Sequence, residues 1–516
     1  MRNYYSIFND VLGPIMTGPS SSHTAACARI GKMTRILYGK DIKKVDIVFE
    51  EKGSYPSTYR GQGSDYGFVG GFLGYFPEDE RLKDSLKIAL ENNIEINFKT
   101  EDLGMNHPNE AEIRIYENEK LEMTVLTHSI GGGMFNIVKL DGFDVFITGE
   151  IKKVFLKTED IYLKNELIEI LNKEDYNIQE KDEIIFFEII IKSEEIYKKI
   201  EIFKNDKRVK MFRLAEVILP VERNKKNGIF FNAQEALEYN KDRGMKLWEL
   251  AIAYECSIGK ISYNEVIEKM RTILDYMNKS TISVNSNEKL KILSNDFYNI
   301  EKNYKEKKII DIEIFNEISI TAMKVMENNC KHNIVVAAPT AGSCGVIPAI
   351  ILSCGKKVEA NEMKLIKALL CIGLIGVFIA NQGTFSAEVA GCQAENGAAS
   401  CMAAAGVVEL LDGNIEEAFS ASSLALQNLL GLICDPIGGL TEIPCISRNV
   451  LAATNAVIST NMVMCGYESI IPLDETINSM FETGKLLPSE LRCTCKGGLC
   501  NTKTGKNIYK NQSKQK

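Results

Sequence analysis

The spacing of apolar residues divides the chain into three regions. In residues 1–145, short stretches such as VDIVFE and AEIRIYE alternate apolar and polar positions, as strands do, and helical stretches lie between them. One predicted helix follows the Ser-rich turn GPSSSHT, where Ser20, Ser21 or Ser22 can cap exposed backbone N–H groups. Such a helix start attracts anions. Residues 1–145 are therefore predicted to form an α/β domain.

Residues 146–222 alternate strands and helices in a shorter pattern. The order is a strand (VFLK), a helix (IYLKNELIEILNK), a strand (EIIFFEIIIK), a helix (EEIYKKIEIFKND) and a strand (VKMFRLAEVILP). One more strand beside EIIFFEIIIK would complete the βαββαβ order of a ferredoxin-like module. The region is interpreted either as a ligand-sensing module of this kind or as a spacer that serves dimerisation.

Helical periodicity dominates the last region, residues 223–500. Apolar segments such as MKLIKALLCIGLIGVFIA and SRNVLAATNAVISTNMVM must be buried inside a helical bundle, and loops rich in Gly, Pro and Cys separate them. The tail 501–516 is rich in Lys, Asn and Gln and is predicted to be disordered. The expected fold is thus an α+β multidomain protein with an all-α C-terminal domain.

Composition and charge exclude several classes of partner. The net charge is −8 and there is no long basic run, which argues against nucleic acid. The longest apolar run, residues 368–380, is too short to cross a bilayer and predicts a buried helix. The N-terminus lacks the features of a signal peptide. Nearly all of the 14 cysteines lie beyond residue 250 and would stay reduced or metal-bound in a reducing compartment, so we expect a cytoplasmic protein without a membrane partner.

Three cysteines stand beside Gly or Pro, where the backbone bends and a thiolate can face a cleft. Cys392 lies in AGCQAENG, Cys434 in ICDPIGG and Cys445 in EIPCISRN, with separations of 42 and 11 residues. This spacing lacks the C-x₂-C pair of zinc ribbons and most ferredoxins. Spacing alone therefore leaves open whether these residues bind a metal or are buried structural thiols.

Four longer segments resemble a known family. GPSSSHTAACARIG, AAPTAGSCGVIPA, SAEVAGCQAENGAASCMAAAG and LLGLICDPIGGLTEIPCISRNV resemble the signature segments of iron–sulfur-dependent L-serine dehydratase, also called L-serine ammonia-lyase. The resemblance covers roughly residues 1–150 and 225–500, as a single-chain fusion of the beta-type and alpha-type parts. It implies a 4Fe–4S cluster held by Cys392, Cys434 and Cys445, and an ACT-like module in residues 146–222.

The resemblance also implies the reaction. L-serine would lose water to give an aminoacrylate, which hydrolyses to pyruvate and ammonia without further help from the enzyme. A cluster held by three thiolates leaves one iron without a protein ligand, and that iron can act as a Lewis acid on the substrate. L-serine is accordingly the expected small-molecule partner, and a homodimer is expected.

Residues of both domains are implied in the active site. Two segments, GPSSSHT and PTAGSCG, each lie at the start of a predicted helix. Their backbone N–H groups and hydroxyls can hold a substrate carboxylate, although a plain helix cap is the alternative for Thr340. The substrate-binding candidates are Ser21, Ser22, Thr24, Thr340, Gly342 and Ser343.

Three of the four histidines lie in the N-terminal region. His23 and His107 are the candidates for acid–base or substrate-orienting roles, because histidine suits proton transfer near neutral pH, whereas His332 is predicted to be structural. Gln62 stands where the family usually has His. Glutamine cannot carry a proton, so that position must serve binding here, or its role must be supplied elsewhere or lost.

The remaining cysteines have other predicted roles. Cys371 and Cys401 lie in apolar helices and are predicted to pack in the core. Cys344 would be the substitute ligand if one of Cys392, Cys434 and Cys445 did not bind the cluster. Three cysteines lie close together near the C-terminus: Cys493, Cys495 and Cys500. One of them could bind the open iron, or all three could be free thiols at the surface.

Three functions remain open on the sequence. The first is the L-serine lyase, and the second is the same cluster chemistry on L-threonine or L-cysteine, which Gln62 leaves open. The third is a non-catalytic amino-acid sensor. A pyridoxal-phosphate lyase is disfavoured, because no Lys lies in a turn followed by a Gly-rich phosphate loop.

Overall fold

Strands and helices are interspersed in the first 147 residues of the computed structural model, which describes residues 2–104, 106–172, 174–223, 228–282, 289–293 and 298–514. The elements are β1 (Ile15–Thr17), α1 (Ala26–Tyr38), β2 (Lys44–Glu50), α2 (Tyr55–Thr58), α3 (Ser64–Phe72), α4 (Ser85–Glu91), β3 (Glu95–Glu101), β4 (Glu110–Glu117), β5 (Lys120–Gly131), β6 (Met134–Leu140) and β7 (Phe143–Ile147). Wide helical turns at Ile7–Val11 and Ser21–Ala25 precede β1 and α1.

Six of these strands form one sheet in the order β3-β2-β4-β5-β6-β7. Only β2 and β3 are parallel, because hairpins rather than crossover helices join the strands from β4 to β7. The region therefore has the strands and helices that the sequence predicts, but its sheet is mainly antiparallel. Helices α1 and α3 touch at their backbones, since a Cβ on Gly31 would lie 2.3 Å from the carbonyl oxygen of Phe68.

The middle of the chain is a four-stranded antiparallel sheet with two helices. Its elements are β8 (Lys153–Thr158), α5 (Ile161–Ile170), β9 (Tyr176–Lys181), β10 (Ile184–Ile190), α6 (Glu194–Glu201) and β11 (Val209–Ala215). The strand order β11-β8-β10-β9 with this succession of elements is that of a ferredoxin-like module. The strand that the sequence pattern left unassigned is β9, which has no buried position and so lacks an apolar signal. Phe186 of β10 stacks on Phe143 of β7 with ring centroids 4.6 Å apart, which joins the module to the first sheet.

Beyond residue 228 the described chain is helical except for one short strand. The elements are α7 (Ala233–Asn240), α8 (Leu247–Ile258), α9 (Tyr263–Lys279), α10 (Tyr298–Lys305), α11 (Ile314–Cys330), β12 (Ile334–Val336), α12 (Val346–Lys357), α13 (Glu362–Gln382), α14 (Ala387–Ala390), α15 (Asn396–Leu410), α16 (Ile415–Gln427), α17 (Cys445–Met464), α18 (Leu473–Leu486) and α19 (Lys503–Lys514). The predicted start of this domain adjoins residues 224–227, which lie outside the described residues.

The C-terminal tail differs from its prediction. The sequence predicts disorder from residue 501, whereas residues 503–514 form α19, which packs against the turn Ile437–Gly439. Gly505 permits this contact, because a Cβ there would lie 2.5 Å from the carbonyl oxygen of Leu499. Polar composition predicted disorder, but a close backbone contact holds the first turn of the helix.

Helix α13 is the centre of the helical core. It is long and apolar enough to cross a membrane by length and composition, yet 72% of its most apolar window is buried in the structure. All residues from 368 to 380 are buried, packed among α8, α9 and α15. The prediction that this apolar run is a buried helix is confirmed.

Residues 4–12, here called the N-terminal strap, pack into the helical core rather than onto the first sheet. Ile7 and Val11 lie against two glycines of α13, since a Cβ on Gly373 would be 2.6 Å from Ile7 and one on Gly376 would be 2.1 Å from Val11. The first dozen residues thus belong by packing to the helical domain, although the sequence places them in the N-terminal one.

A buried carboxyl holds the strap in place. Glu255 of α8 accepts the backbone N–H of Ile7 at 2.8 Å and the hydroxyl of Ser6. Burial raises the pKa of Glu255 to about 7, although these two donors lower it. The contact therefore joins the start of the chain to the helical domain through a group that titrates near neutral pH.

Strand β1 forms a second link, because among the described residues it pairs with β12 alone and not with the first sheet. Ile15 lies opposite Val336 and Thr17 opposite Ile334, in antiparallel register. The backbone N–H of Ala337 donates to the carbonyl oxygen of Pro14 at 3.0 Å. The turn after β1 and the turn after β12 are thereby brought side by side.

The stability of the strap contact should depend on pH through Glu255. A carboxyl whose pKa is raised on folding stabilises the folded chain below its unfolded pKa, and this contribution is lost as the pH rises through about 7. Glu255→Gln keeps an acceptor oxygen but cannot ionise. We expect the variant to lose less stability than the wild type between about pH 4 and about pH 8, with a difference of roughly 3 kcal/mol.

Urea unfolding followed by helical circular dichroism at the two pH values measures this difference. Glu482→Gln, at an exposed position of α18, is the matched control and should retain the pH dependence of the wild type. Parallel pH profiles for the wild type and Glu255→Gln would contradict the role assigned to this carboxyl.

Candidate functional site

A cavity lies between the two turns that follow β1 and β12, and we call it the interdomain cavity. Its volume is about 40 Å³. Its lining from the first 147 residues consists of Pro19, Ser20, Ser21, Ser22 and Gln62. Its lining from the helical domain consists of Gly342, Ala387, Glu388, Glu395, Cys434, Pro436, Thr441, Cys445 and Cys493. Residues from both ends of the chain thus share one small enclosed space.

Hydroxyl groups hold the turn at residues 20–24, which follows β1. Ser20 caps the turn by accepting the backbone N–H of His23 at 3.2 Å. The hydroxyl of Ser21 accepts the backbone N–H of Ala341 at 3.2 Å, which bonds the two turns across the domain boundary. Thr24 is fully buried and donates to the carbonyl oxygen of Gln62 at 2.7 Å, so it positions the segment that carries Gln62 into the cavity wall.

The second turn positions a carboxyl group. Thr340 donates its hydroxyl to Oε1 of Glu395 at 2.7 Å, and the hydroxyl of Ser343 bonds the backbone of the same turn. Gly342 leaves room for this carboxyl, because a Cβ there would lie 2.9 Å from Oε1 of Glu395. Of the predicted substrate-binding residues, Ser21, Ser22 and Gly342 line the cavity. The other three, Thr24, Thr340 and Ser343, lie behind it and hold its wall.

Four thiols gather at one wall. Cys434 and Cys445 line the cavity, and Cys392 is buried beside Cys434 in a small apolar cluster. Cys493, one of the tail thiols predicted either to reach the cluster or to remain free, is in the same apolar cluster, and its backbone N–H donates to the carbonyl oxygen of Cys434 at 3.0 Å. Cys344, the predicted substitute ligand, instead lies in the core against Met326 and outside the cavity lining.

These thiols favour the protonated form unless a cation is present. Burial raises the pKa of Cys392 to about 11, and Glu395 adds to this effect while Arg448 opposes it. Burial is also the main cause that raises the pKa of Cys445. Arg448 is itself held by Asp435 at 2.9 Å. A bound metal centre would reverse the preference, because coordination deprotonates a thiol.

The donor set fits an iron–sulfur cluster. Soft thiolates select Fe–S clusters, zinc or Cu(I), and hydrogen bonds to sulfur tune such clusters. Here Asn396 donates its side-chain amide to the sulfur of Cys392 at 3.0 Å. Within the described ranges, no three His, Cys, Asp or Glu side chains converge on one point as a single metal ion would require. A cluster with several irons does not require such convergence, since its thiolates bind separate atoms.

Two carboxyls with different proton affinities face the same cavity. Burial raises the pKa of Glu395 to about 7, and the charge of Glu388 raises it further. Burial also acts to raise the pKa of Glu388, but His23 and the hydroxyls of Ser386 and Ser22 outweigh it and hold that pKa below its usual value. Those two hydroxyls donate to Glu388 at 2.8 and 3.1 Å. Such divergence is typical of acid–base pairs.

The predicted catalytic histidines lie behind this pair. His23 is fully buried, with its two ring nitrogens 2.9 Å from the hydroxyls of Ser22 and Thr58. Burial lowers the pKa of His23 below its ordinary value, although Glu388, 3.9 Å away, opposes this. His107 stacks on His128 at 5.0 Å, and burial lowers its pKa to about 4. Neither lines the cavity: His23 contacts Ser22 and Glu388, which do line it, whereas His107 interacts with Glu388 only through its charge.

Part of the site appears among the sequence predictions only as an alternative. The sequence favours His23 and His107 as acid–base groups and offers Glu388 and Glu395, with Thr340 and Ser343, only if those histidines are regulatory or structural, although both glutamates flank Cys392 as the only acids of that segment. That placement was the available signal. The sequence offers Cys493, Cys495 and Cys500 alike as thiols that could reach the cluster, and only the structure shows that Cys493 is the one beside Cys434. Cys371 and Cys401 are fully buried in α13 and α15, as predicted.

Comparison with known proteins identifies the family. The model of the family described as serine dehydratase alpha chain matches residues 242–500. A probable L-serine dehydratase alpha chain of Bacillus subtilis is 33% identical over 286 residues, which is 55% of this chain and 95% of that protein. The probable beta chain of the same organism is 41% identical over 157 residues, 30% of this chain and 70% of that protein. An L-serine dehydratase of Haemophilus influenzae is 26% identical over 509 residues, 93% of this chain and 96% of that protein. The chain therefore belongs to the L-serine dehydratase family and unites beta-type and alpha-type parts in one polypeptide.

Proposed function

We propose that this chain dehydrates L-serine to pyruvate and ammonia in the interdomain cavity, with the help of a 4Fe–4S cluster held by Cys392, Cys434 and Cys445. The observation that carries the proposal is that Cys434 and Cys445, with Cys392 beside Cys434, meet two carboxyls of different pKa at one cavity. The names of the relatives supply the substrate. When bound, the cluster would supply a Lewis acid that assists departure of the substrate hydroxyl.

The chain's own groups would hold the substrate at the two turns. The backbone N–H of Gly342 and the hydroxyl of Ser21 are suited to the serine carboxylate, because they meet at the boundary of both domains. Gln62 supplies a neutral amide to the same wall, so we assign it a binding role rather than proton transfer. The closed cavity would keep bulk water from the aminoacrylate product.

The two carboxyls would divide the proton transfers. Glu388, kept ionised by Ser22 and Ser386, is placed to take the Cα proton. Glu395, whose pKa is raised to about 7 by burial, retains a proton that it can give to the departing hydroxyl, which leaves as water. His23 and His107 would orient and support Glu388, which makes them positioning residues.

The middle module and the assembly complete the proposal. We infer an ACT-like module in residues 146–222 from the ferredoxin-like order of its strands. A cytoplasmic homodimer is the form in which we expect the enzyme to act. Sedimentation of the purified chain would test the dimer.

Replacing single cysteines tests the cluster assignment. Anaerobically purified protein should contain about four irons and four sulfides per chain. Cys392→Ser, Cys434→Ser and Cys445→Ser should each lose visible absorbance and bound iron. Cys401→Ser is the matched control, since Cys401 is equally buried in α15 but packs only in the core. Iron analysis and the visible spectrum are the measurements.

Cys493→Ser decides between two ligand sets. If the trio is complete, this variant should keep its iron, because the contact with Cys434 would then be only structural. Loss of iron in Cys493→Ser with retention in Cys392→Ser would show that Cys493 takes the place assigned to Cys392.

Glu388→Gln tests the proton transfer. The amide keeps the size of the side chain and one of the two acceptor oxygens that Ser22 and Ser386 use, but it cannot take a proton. We expect kcat/KM for L-serine to fall by on the order of a hundredfold or more while iron content stays unchanged. Glu409→Gln, a buried glutamate of α15 outside the cavity, should retain most activity. Full activity in Glu388→Gln would exclude it as the base.

A further inference from the structure

A second cavity, here called the junction cavity, lies where three parts of the chain meet. Its volume is about 330 Å³, and it shares no lining residue with the interdomain cavity. The strap and β1, the segment 218–220 that follows the middle module, and helix α9 all contribute to its wall. Its apolar lining includes Phe8, Leu12, Phe76, Ile218, Leu219 and Ile273. A space of this size and polarity is typical of small-molecule sites.

One buried cation lines this apolar space. Arg29 of α1 is only 3% exposed, and its guanidinium donates to the carbonyl oxygen of Gly133 at 2.8 Å and to the sulfur of Met134 at 3.4 Å. In the part of the chain that the structure describes, no carboxylate forms an ion pair with it. Burial lowers the pKa of Arg29 to about 10, and the more distant Glu78 and Asp10 only partly offset this.

A buried guanidinium without an ion pair favours an anionic ligand. A buried charge is costly unless it is paired, and a carboxylate matches the fork of a guanidinium. The rest of the lining selects against a highly charged ligand, because it is mostly apolar and its other two charged residues, Glu78 and Lys269, have opposite signs. The chemistry therefore fits a ligand with one carboxylate and an apolar body.

Two series of residue contacts lead from the wall of the junction cavity to the wall of the interdomain cavity. Residues 13–15 line it and lead into the pairing of β1 with β12, which sets the turn that carries Gly342. On the other side Arg29 bonds Gly133, and a Cβ on Gly131 in the same turn would lie 3.4 Å from Ser386. Ser386 in turn donates to Glu388. A ligand that shifts Arg29 would thus act on both walls of the reaction site.

We propose that the junction cavity binds a small monocarboxylate with an apolar body, and that this ligand regulates the reaction in the interdomain cavity. The regulatory half rests on the proposed function, whereas binding does not. Such a ligand would change activity only to the extent that it binds more tightly to one conformation of the protein than to another, where the two conformations differ at the interdomain cavity.

The test uses the full-length holoprotein and a graded series of probes: propanoate, 3-methylbutanoate, hexanoate and phenylacetate, each with its matched neutral amide. Ligand-detected NMR and calorimetry measure binding. We expect affinity to rise with apolar size and each amide to bind at least about tenfold more weakly, since it forgoes the charged pair with Arg29. Equal binding of acids and amides, or no binding of any acid, would overturn the proposal.

Two variants locate the site. Arg29→Gln should abolish the preference for acids over amides. Because this buried change could unfold the chain, Thr272→Trp provides an independent test: Thr272 is an exposed α9 residue in the cavity lining, so the indole should block the space. Asn264→Trp, exposed on the same helix but outside the lining, is the matched control and should bind as the wild type does. Unchanged binding in Thr272→Trp would place the ligand elsewhere.

Turnover of L-serine separates the two halves of the proposal. We expect 3-methylbutanoate or phenylacetate to change kcat/KM in the wild type and in Asn264→Trp, and to leave it unchanged in Thr272→Trp. Binding without any change in turnover would overturn regulation alone. If the chain did not turn over L-serine, the proposed function would fail, while NMR would still report binding at the junction cavity. Unchanged binding to Glu388→Gln would show that the probe does not occupy the reaction site.

Discussion

The antiparallel pairing of β1 with β12 joins segments that lie more than 300 positions apart in the chain, and the interdomain cavity depends on it. Only three residue pairs form this sheet, so it cannot offset the entropy of closing so long a loop by itself. The strap supplies the rest, with Ile7 and Val11 seated on the glycines of α13 and Glu255 holding the backbone of Ile7. The apolar packing of the strap thus helps to keep β1 paired with β12.

The polar groups of the cavity depend on one another in the same way. Ser22 reaches Glu388 from the N-terminal side, and Thr340 reaches Glu395 from the helical side. Each hydroxyl adjusts the proton affinity of a carboxyl that its own segment does not contain. Because buried carboxyls respond strongly to single hydrogen bonds, small movements between the domains would change both proton affinities together. This is a physical reason for a reaction site at a domain boundary.

The C-terminal tail takes part in the same region. Cys493 lies against Cys434, and the thiols of Cys495 and Cys500 both contact the carbonyl oxygen of Pro436, whose residue lines the cavity. Helix α19 packs on the turn Ile437–Gly439 that follows. The end of the chain therefore covers the thiol wall, and the segment that its composition marks as disordered is held there by backbone contacts.

The sequence by itself determined the local character of each region. Periodicity predicted the buried helix α13 and the strands of the first and middle regions, because burial of one face imposes its spacing on neighbouring residues. The resemblance of four segments to a known family implied one site containing Ser21, Ser22, Gly342, Cys434 and Cys445, all of which line the interdomain cavity, whereas spacing alone left the role of the cysteines open. Strand β9 was not assigned from the sequence, because an exposed edge strand shows no alternation of apolar and polar residues.

Only the tertiary structure decided which distant groups meet. It placed His23 behind Ser22, brought Cys493 to Cys434, and set Glu388 and Glu395 in one cavity with different proton affinities. It also left Arg29 buried without an ion pair among the described residues, beside a cavity built from three parts of the chain. Burial, desolvation and contacts across hundreds of residues are properties of the packed chain, and no local pattern of residues encodes them.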